Sequence, residues 1–78
     1  MTWTFYLQKF DDGMWSLFRS RDLSDDEIYR IGDGWRPTRL LFDERQKGWI
    51  DADDIISAAE AGALIAAAEE AHAAAKSG

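Results

Sequence analysis

Residues 2–21 run TWTFYLQKFDDGMWSLFRSR, two stretches of alternating large side chains around Asp11-Asp12-Gly13. Three loop residues ending in glycine suit a type I turn whose glycine takes the left-handed conformation. That register opposes Phe10 to Met14, Tyr6 to Phe18 and Thr4 to Ser20 on one face. On the other it opposes Leu7 to Leu17, Phe5 to Arg19 and Lys9 to Trp15. A two-residue Asp12-Gly13 turn would set Phe10 against Trp15 and Leu7 against Phe18 instead. Like meets like better in the first register, which is therefore preferred. Both faces of this hairpin carry large apolar groups: Trp3, Phe5, Leu7, Trp15 and Leu17 on one, Tyr6, Phe10, Met14 and Phe18 on the other. A sheet with one face in water alternates apolar with polar. This one needs cover on both sides.

Beyond the hairpin, Ser24 and Glu27 have capping-box spacing, with Leu23 and Ile28 placed as a hydrophobic staple. Asp25 and Asp26 favour the positive end of a helix dipole and Arg30 the other end, and Gly32 can terminate the helix. The spacing thus predicts a short helix over 25–31, crossing to a third strand. Gly32-Asp33-Gly34 reads as a turn and Trp35 as the start of the next extended segment. Pro37 is tolerated at the start or edge of a strand. Thr38 to Phe42 is the predicted third strand, residues 43–48 a polar loop, and Trp49-Ile50 a short return strand.

All ten aromatic residues lie between Trp3 and Trp49, and all twelve alanines lie from Ala52 onward. Aromatics suit a pleated, half-buried surface, and alanine has the highest intrinsic helix propensity. Residues 51–75 therefore read as one alanine-rich helix capped by Asp51, with Asp54 at its third position and Ile50 and Ile55 as a staple. Ala52, Ile55, Ile56, Ala59, Ala63 and Ala66 fall within about a third of the circumference, an expected core face. Gly62 implies a bend or stop there, or a contact too close for a side chain. The expected fold is α+β, one domain over 1–78. A body over 1–50, with an antiparallel sheet of three to four strands and the 25–31 helix, packs against the C-terminal helix. The expected core is Trp3, Phe5, Leu7, Trp15, Leu17, Ile28, Leu40, Phe42, Ile55, Ile56 and Ala59.

The net charge of −6 is unevenly spread. Residues 1–50 hold eight basic and nine acidic groups, whereas residues 51–78 hold Lys76 against six acids, so the surplus belongs to the helix. It opposes non-specific attraction to nucleic acid or an anionic membrane. No apolar run approaches a membrane span and the N-terminus lacks a basic leader, so a cytoplasmic location is expected. Six arginines against three lysines, no asparagine and abundant alanine fit a GC-rich bacterial or phage genome.

No motif points to an enzyme, a metal or a cofactor. Cysteine is absent and His72 is the only histidine, which removes the usual zinc sets. Asp51-x-Asp53-Asp54 opens like a calcium loop, but the sixth and twelfth positions hold Ile56 and Gly62 where glycine and glutamate belong. Gly32-Asp33-Gly34-Trp35 lacks the Gly-Lys-Ser/Thr of a phosphate loop. Asp11/Asp12, Asp25/Asp26/Glu27, Asp43/Glu44 and Glu69/Glu70 sit in turns and on helices, where solvent keeps them ionised, not in a cleft that would tune them.

Arg19, Arg21, Arg36 and Arg39 interleave with Trp15, Trp35 and Tyr6. Such a set can pair with local acids over a core, form a protein hot spot, or stack nucleobases. Leu64-Ile65 among alanines suits either packing onto the second sheet face or a homodimer seam. The order hairpin, Ser16-Leu17-Phe18, Gly34-Trp35, strand, helix is loosely similar to that of MbtH-like proteins, small acidic tryptophan-rich partners of adenylation enzymes. Phe18-Arg19 stands where that family has Trp-Pro, and its later Trp-Thr-Asp stretch is missing, so no site is carried over.

The expected function is a small acidic, non-enzymatic protein-binding module, a regulator or phage-type accessory protein. It would act through the hairpin's second apolar face, with Tyr6, Phe10, Met14, Phe18 and Trp35 as contact residues. The alternatives are a homodimeric structural protein and an acidic nucleic-acid mimic presenting Asp25, Asp26 and Glu27. The expected partner is a protein or a second copy, with direct nucleic-acid binding ranked last and no membrane.

Overall fold

The computed structural model describes residues 2–21 and 25–77, the backbone alone at Ser77. Strands β1 (Thr4–Lys9), β2 (Trp15–Arg21), β3 (Asp25–Arg30) and β4 (Gly34–Pro37) form an antiparallel meander. A short fifth strand, β5 (Ile55–Ile56), pairs antiparallel with the free edge of β1, giving the order β4-β3-β2-β1-β5. Helix α1 (Leu40–Gln46) follows β4, and helix α2 (Ala58–Ser77) ends the chain. The class is α+β, and the sheet has five strands, not three or four.

The hairpin register is the one that matched like with like, Tyr6 opposite Phe18 and Leu7 opposite Leu17. Its turn closes through Phe10 N–H to the Met14 carbonyl at 2.9 Å and Gly13 N–H to the Phe10 carbonyl at 3.1 Å. Gly13 sits at φ 87°, and Asp12 Oδ1 accepts the Met14 N–H at 2.9 Å.

Pairing also settles the two faces. Tyr6, Phe18 and Ile28 share one, and with Leu41 of α1 and Ile50 they form the buried core cluster. Leu7, Trp15, Leu17 and Tyr29 share the other, which α2 covers; Leu17 and Ala61 are buried there. One short and one long helix thus cover the two apolar faces, as the hairpin demands.

Three expected elements are replaced. Residues 25–31 are not a helix: Asp25–Arg30 is a strand, paired Phe18–Ile28, Arg19–Glu27, Ser20–Asp26 and Arg21–Asp25. A two-turn helix is marginal alone, whereas the strand fills the free edge of β2 and places both Asp25 and Glu27 opposite arginines. The Ser24 cap and Leu23 staple fall outside the described residues. Thr38 to Phe42 is not a strand either. β4 ends at Pro37, which cannot donate to a ladder, and Thr38 turns the chain, its Oγ1 accepting the Leu40 N–H at 3.0 Å. The helix that follows absorbs much of the expected polar loop and closes through Trp49 N–H to the Glu44 carbonyl at 2.9 Å. Finally, Trp49-Ile50 forms no strand; β5 is the return strand instead.

Asp51 caps a single 3-10 turn over Ala52–Asp54, with Asp53 N–H on its Oδ1 at 2.9 Å and its own N–H on Asp54 Oδ2 at 3.0 Å. The long helix starts later, where Ser57 Oγ accepts the Glu60 N–H at 3.0 Å and Glu60 reaches back to Ser57. Ser57-Ala58-Ala59-Glu60 is itself a capping box, and the sequence reading passed over it. The later start moves the inward face to Ala61, Leu64, Ile65, Ala68 and His72, leaving Ala59, Ala63 and Ala66 exposed. Gly62 lies inside the continuous helix, and a Cβ there would meet nothing within 4 Å. Of the expected core, Leu17 and Ile28 are buried, Trp3, Phe5, Leu7, Trp15 and Ile56 half-buried, and Leu40, Phe42, Ile55 and Ala59 exposed.

Candidate functional site

The hairpin tip leaves its last pair in solvent: Phe10 is 46% exposed and Met14 65%. Beside it lies the β3–β4 turn, Ile31-Gly32-Asp33, with Ile31 also 46% exposed. This turn is fastened to α2. Glu69 Oε1 accepts the Gly32 N–H at 2.7 Å, and the same carboxylate takes the Tyr29 hydroxyl. Gly32 has φ 88°, and a Cβ on it would lie 3.1 Å from His72 Nε2, so the helix presses directly on turn backbone. Tyr29 shows the effect: desolvation, the Glu69 charge and the Glu69 hydrogen bond together raise its hydroxyl above the ordinary value of 10.0.

Between tip, turn and helix runs a groove of about 420 Å³ lined by Gly13, Met14, Trp15, Ile31, Ala68, Ala71 and His72. Its walls are apolar save for the imidazole. Asp12, next to Gly13 in the chain, and Asp33, in the β3–β4 turn, are exposed, and Glu70 is exposed on the side of α2 away from Ala68 and His72. Lys9, opposite Trp15, lines a neighbouring cavity with Asp53 and Asp54. Arg30 lies on the opposite sheet face, with Ile28.

The other end of the α2-side face is covered by a ladder of rings and guanidinium groups. The Arg19 guanidinium carbon lies 4.0 Å from the Trp3 ring centre and 4.3 Å from that of Trp35, and Arg21 lies 4.4 Å from Trp3. Glu27 holds Arg19 from both Nε (2.8 Å) and Nη2 (2.6 Å), and Asp25 pairs with Arg21 at 3.3 Å. Trp35 also meets Tyr29 edge-on at 5.3 Å. Arg19 and Arg21 thus follow the first of their three readings, pairing with local acids. Each ring contact contributes about 1 kcal/mol when partly desolvated.

The five expected contact residues do not form one surface. Tyr6 and Phe18 are buried in the core beneath α1, 8% and 0% exposed, out of reach of a partner while that helix is seated. Trp35 is half-buried on the opposite face, in the ladder. Phe10 and Met14 remain accessible. Ile31, Trp15, Ala68, Ala71 and His72 were not anticipated beside Met14, because their meeting depends on β3 being a strand and on where α2 begins. Leu40, Phe42, Trp49 and Ile55 are also exposed, Trp49 beneath the Lys47 ammonium at 4.6 Å. Leu64 and Ile65 are half-buried on the inward side of α2. Among the described residues no helix is long and apolar enough to cross a membrane.

None of the family models, curated proteins or solved structures compared with this chain matches it. The reading of the site rests on its own residues.

Proposed function

We propose that this chain is a small non-enzymatic protein-binding module whose contact surface is the groove between the hairpin tip and α2, with Met14 and Ile31 as its exposed apolar residues and Phe10 exposed beside Met14 at the tip. The observation that carries this reading is concavity joined to exposure. Met14 and Ile31 are large, apolar and open to water, yet they line a walled groove instead of standing singly on the surface. Isolated exposed apolar side chains are ordinary; a contiguous set lining a depression is the usual form of a recognition site. Trp15 in the wall supplies the residue type most enriched where binding energy concentrates. The nucleic-acid mimic is less well supported, since Asp25 and Glu27 are already neutralised by Arg21 and Arg19.

The test is affinity capture from the source cell with the wild type, Met14→Asp, Ile31→Asp and, as a control away from the groove, Phe42→Asp. A partner retained by wild type and Phe42→Asp but lost by both groove variants is the expected result. Folded groove variants that capture the same proteins as wild type would refute the reading. Light scattering across a concentration range accompanies it; a dimer that Met14→Asp dissociates would assign the groove to a second copy.

A further inference from the structure

Strand pairing builds a second surface, independent of the groove. β4 is an edge of the sheet, bonded to β3 on one side only. The Thr38 N–H reaches the Asp26 carbonyl at 3.1 Å and Arg36 stands opposite Ile28, so Gly34, Arg36 and Thr38 turn their backbone groups toward β3. Trp35 therefore turns its N–H and carbonyl outward, and Pro37 its carbonyl alone. Side chains alternate between the faces. Trp35 lies half-buried opposite Tyr29 on the α2 side, and Arg36 lies exposed opposite Ile28 on the α1 side.

We infer that this edge accepts an acidic, extended segment of another protein as an added strand, antiparallel to β4, in which an apolar residue is flanked by acids. Register sets the charge. Arg30 stands opposite Gly34 and Arg36 opposite Ile28, so the two arginines are diagonal neighbours on one face, a placement that holds residues about 7–8 Å apart. Gly34 puts no side chain between Arg30 and the edge, and the space a Cβ would take there is open. Both arginines are exposed. Among the described residues the ion pairs are Arg19–Glu27 and Arg21–Asp25, so neither Arg30 nor Arg36 has an acidic partner. Asp26, the acid of β3 on that face, keeps its Oδ1 buried.

The occupant follows from this geometry. A residue paired with Trp35 shares its face and meets the indole. Its chain neighbours emerge on the other face, one opposite Arg36 and one opposite Gly34, over which Arg30 can extend. Acids at those positions are attracted and bases repelled. A second copy does not fit: pairing two β4 edges about Trp35 makes the two Arg36 side chains diagonal neighbours of like charge. Proline and charge on an edge blunt such self-pairing, while the same arginines attract a strand of opposite sign. Nucleic acid cannot exchange strand hydrogen bonds with Trp35, and the net charge of −6 opposes a long polyanion.

The experiment is fluorescence anisotropy on the full chain with labelled peptides of equal length, built of threonine and valine. Their centres are glutamate-valine-glutamate, glutamine-valine-glutamine and lysine-valine-lysine; a fourth repeats the first with its central valine N-methylated. The glutamate peptide should bind most tightly and slow exchange of the Trp35 amide. Arg36→Glu, with its fold checked by circular dichroism, should weaken that peptide roughly tenfold or more and turn the preference to lysine. Arg36→Gln and Arg30→Gln should weaken it by less. N-methylation removes the N–H that the Trp35 carbonyl would accept and should weaken binding roughly fivefold or more. Met14→Asp should leave it unchanged.

Equal binding of the glutamate, glutamine and lysine peptides, or indifference to Arg36→Gln and Arg36→Glu, would overturn the charge pairing. Tolerance of N-methylation, or a Trp35 amide that exchanges freely in the complex, would overturn the added strand. Failure of the glutamate peptide to bind, or its loss in Met14→Asp, would overturn the inference as a whole. The groove reading is untouched by any of these results and falls only if Met14→Asp and Ile31→Asp leave capture unchanged.

Discussion

Two glycines look alike in the sequence and have opposite consequences in the fold. Gly32 has φ 88° and stands where a Cβ would lie 3.1 Å from the His72 ring, while Gly62 lies within α2 with open space where its Cβ would be. Alanine in the left-handed region costs about 1–2 kcal/mol before His72 is displaced, whereas alanine for glycine inside a helix gains about 1 kcal/mol. Gly32→Ala should therefore lower the urea midpoint and Gly62→Ala raise it. Equal effects of one sign would refute the placement of both. Tyr29 provides a pH prediction at the same scale. Its hydroxyl is raised in the folded state by desolvation and by Glu69, so the folded protein holds that proton more tightly than the unfolded chain. The resulting stabilisation is fully present below the ordinary value of 10.0 and is lost as pH climbs through the raised one. Wild type should lose more stability than Tyr29→Phe between neutral pH and that alkaline range. Parallel pH profiles for the two proteins would remove Glu69 and desolvation as the cause.

Elements differ in how far the sequence alone could place them, and the reason is how local their determinants are. The β1–β2 hairpin was legible because its glycine, its three-residue loop and its like-with-like pairs all lie within eighteen residues and agree. The C-terminal helix was legible from alanine, and its start was missed because two capping signals compete six residues apart: Asp51 with Asp54, and Ser57 with Glu60. Both are real caps, on different elements. The β3 strand was misread because Asp25, Asp26 and Glu27 carry good helix-start signals. What decides against a helix is the free edge of β2 and the arginines on it, which a local reading does not weigh. The groove inherits that error, since Ile31 reaches Met14 only once β3 lies beside β2. The capping assignment is testable. Ser57→Ala should cost about 1 kcal/mol and reduce α2 helicity by far-ultraviolet circular dichroism. Asp51→Ala should leave that helicity unchanged, because the turn it caps over Ala52–Asp54 is separated from α2 by β5. Loss of helicity in Asp51→Ala and not in Ser57→Ala would restore the single helix from residue 51.

At the scale of the whole molecule, the two helices are not held equally. The α1 side packs Tyr6, Phe18, Ile28, Leu41 and Ile50 together, a cluster of large buried side chains spanning three central strands. α2 faces the opposite side with Ala61 fully buried and Leu64, Ile65, Ala68 and His72 half-buried, and much of its remaining surface is exposed alanine. Stabilisation by burial scales with apolar area at about 25 cal/mol per Å², so alanines anchor the helix less firmly than the α1 core holds the sheet. The Glu69 contacts to Gly32 and Tyr29 fix its outer half at one point. A domain of this size has little stability to distribute, and parts with few large buried side chains open first. Amide hydrogen exchange should therefore show α2 opening at lower free energy than β1, β2 and β3, with residues 66–75 and the β3–β4 turn exchanging together because Glu69 joins them. Glu69→Gln should accelerate both segments and leave the Leu17 and Phe18 amides unaffected. A peptide seated against Ala68, Ala71 and Ile31 bridges the same two segments, so it should slow both at once. If α2 instead exchanges only with the central strands, the molecule opens as one unit, and the groove is a rigid wall instead of a surface whose stability a partner can raise.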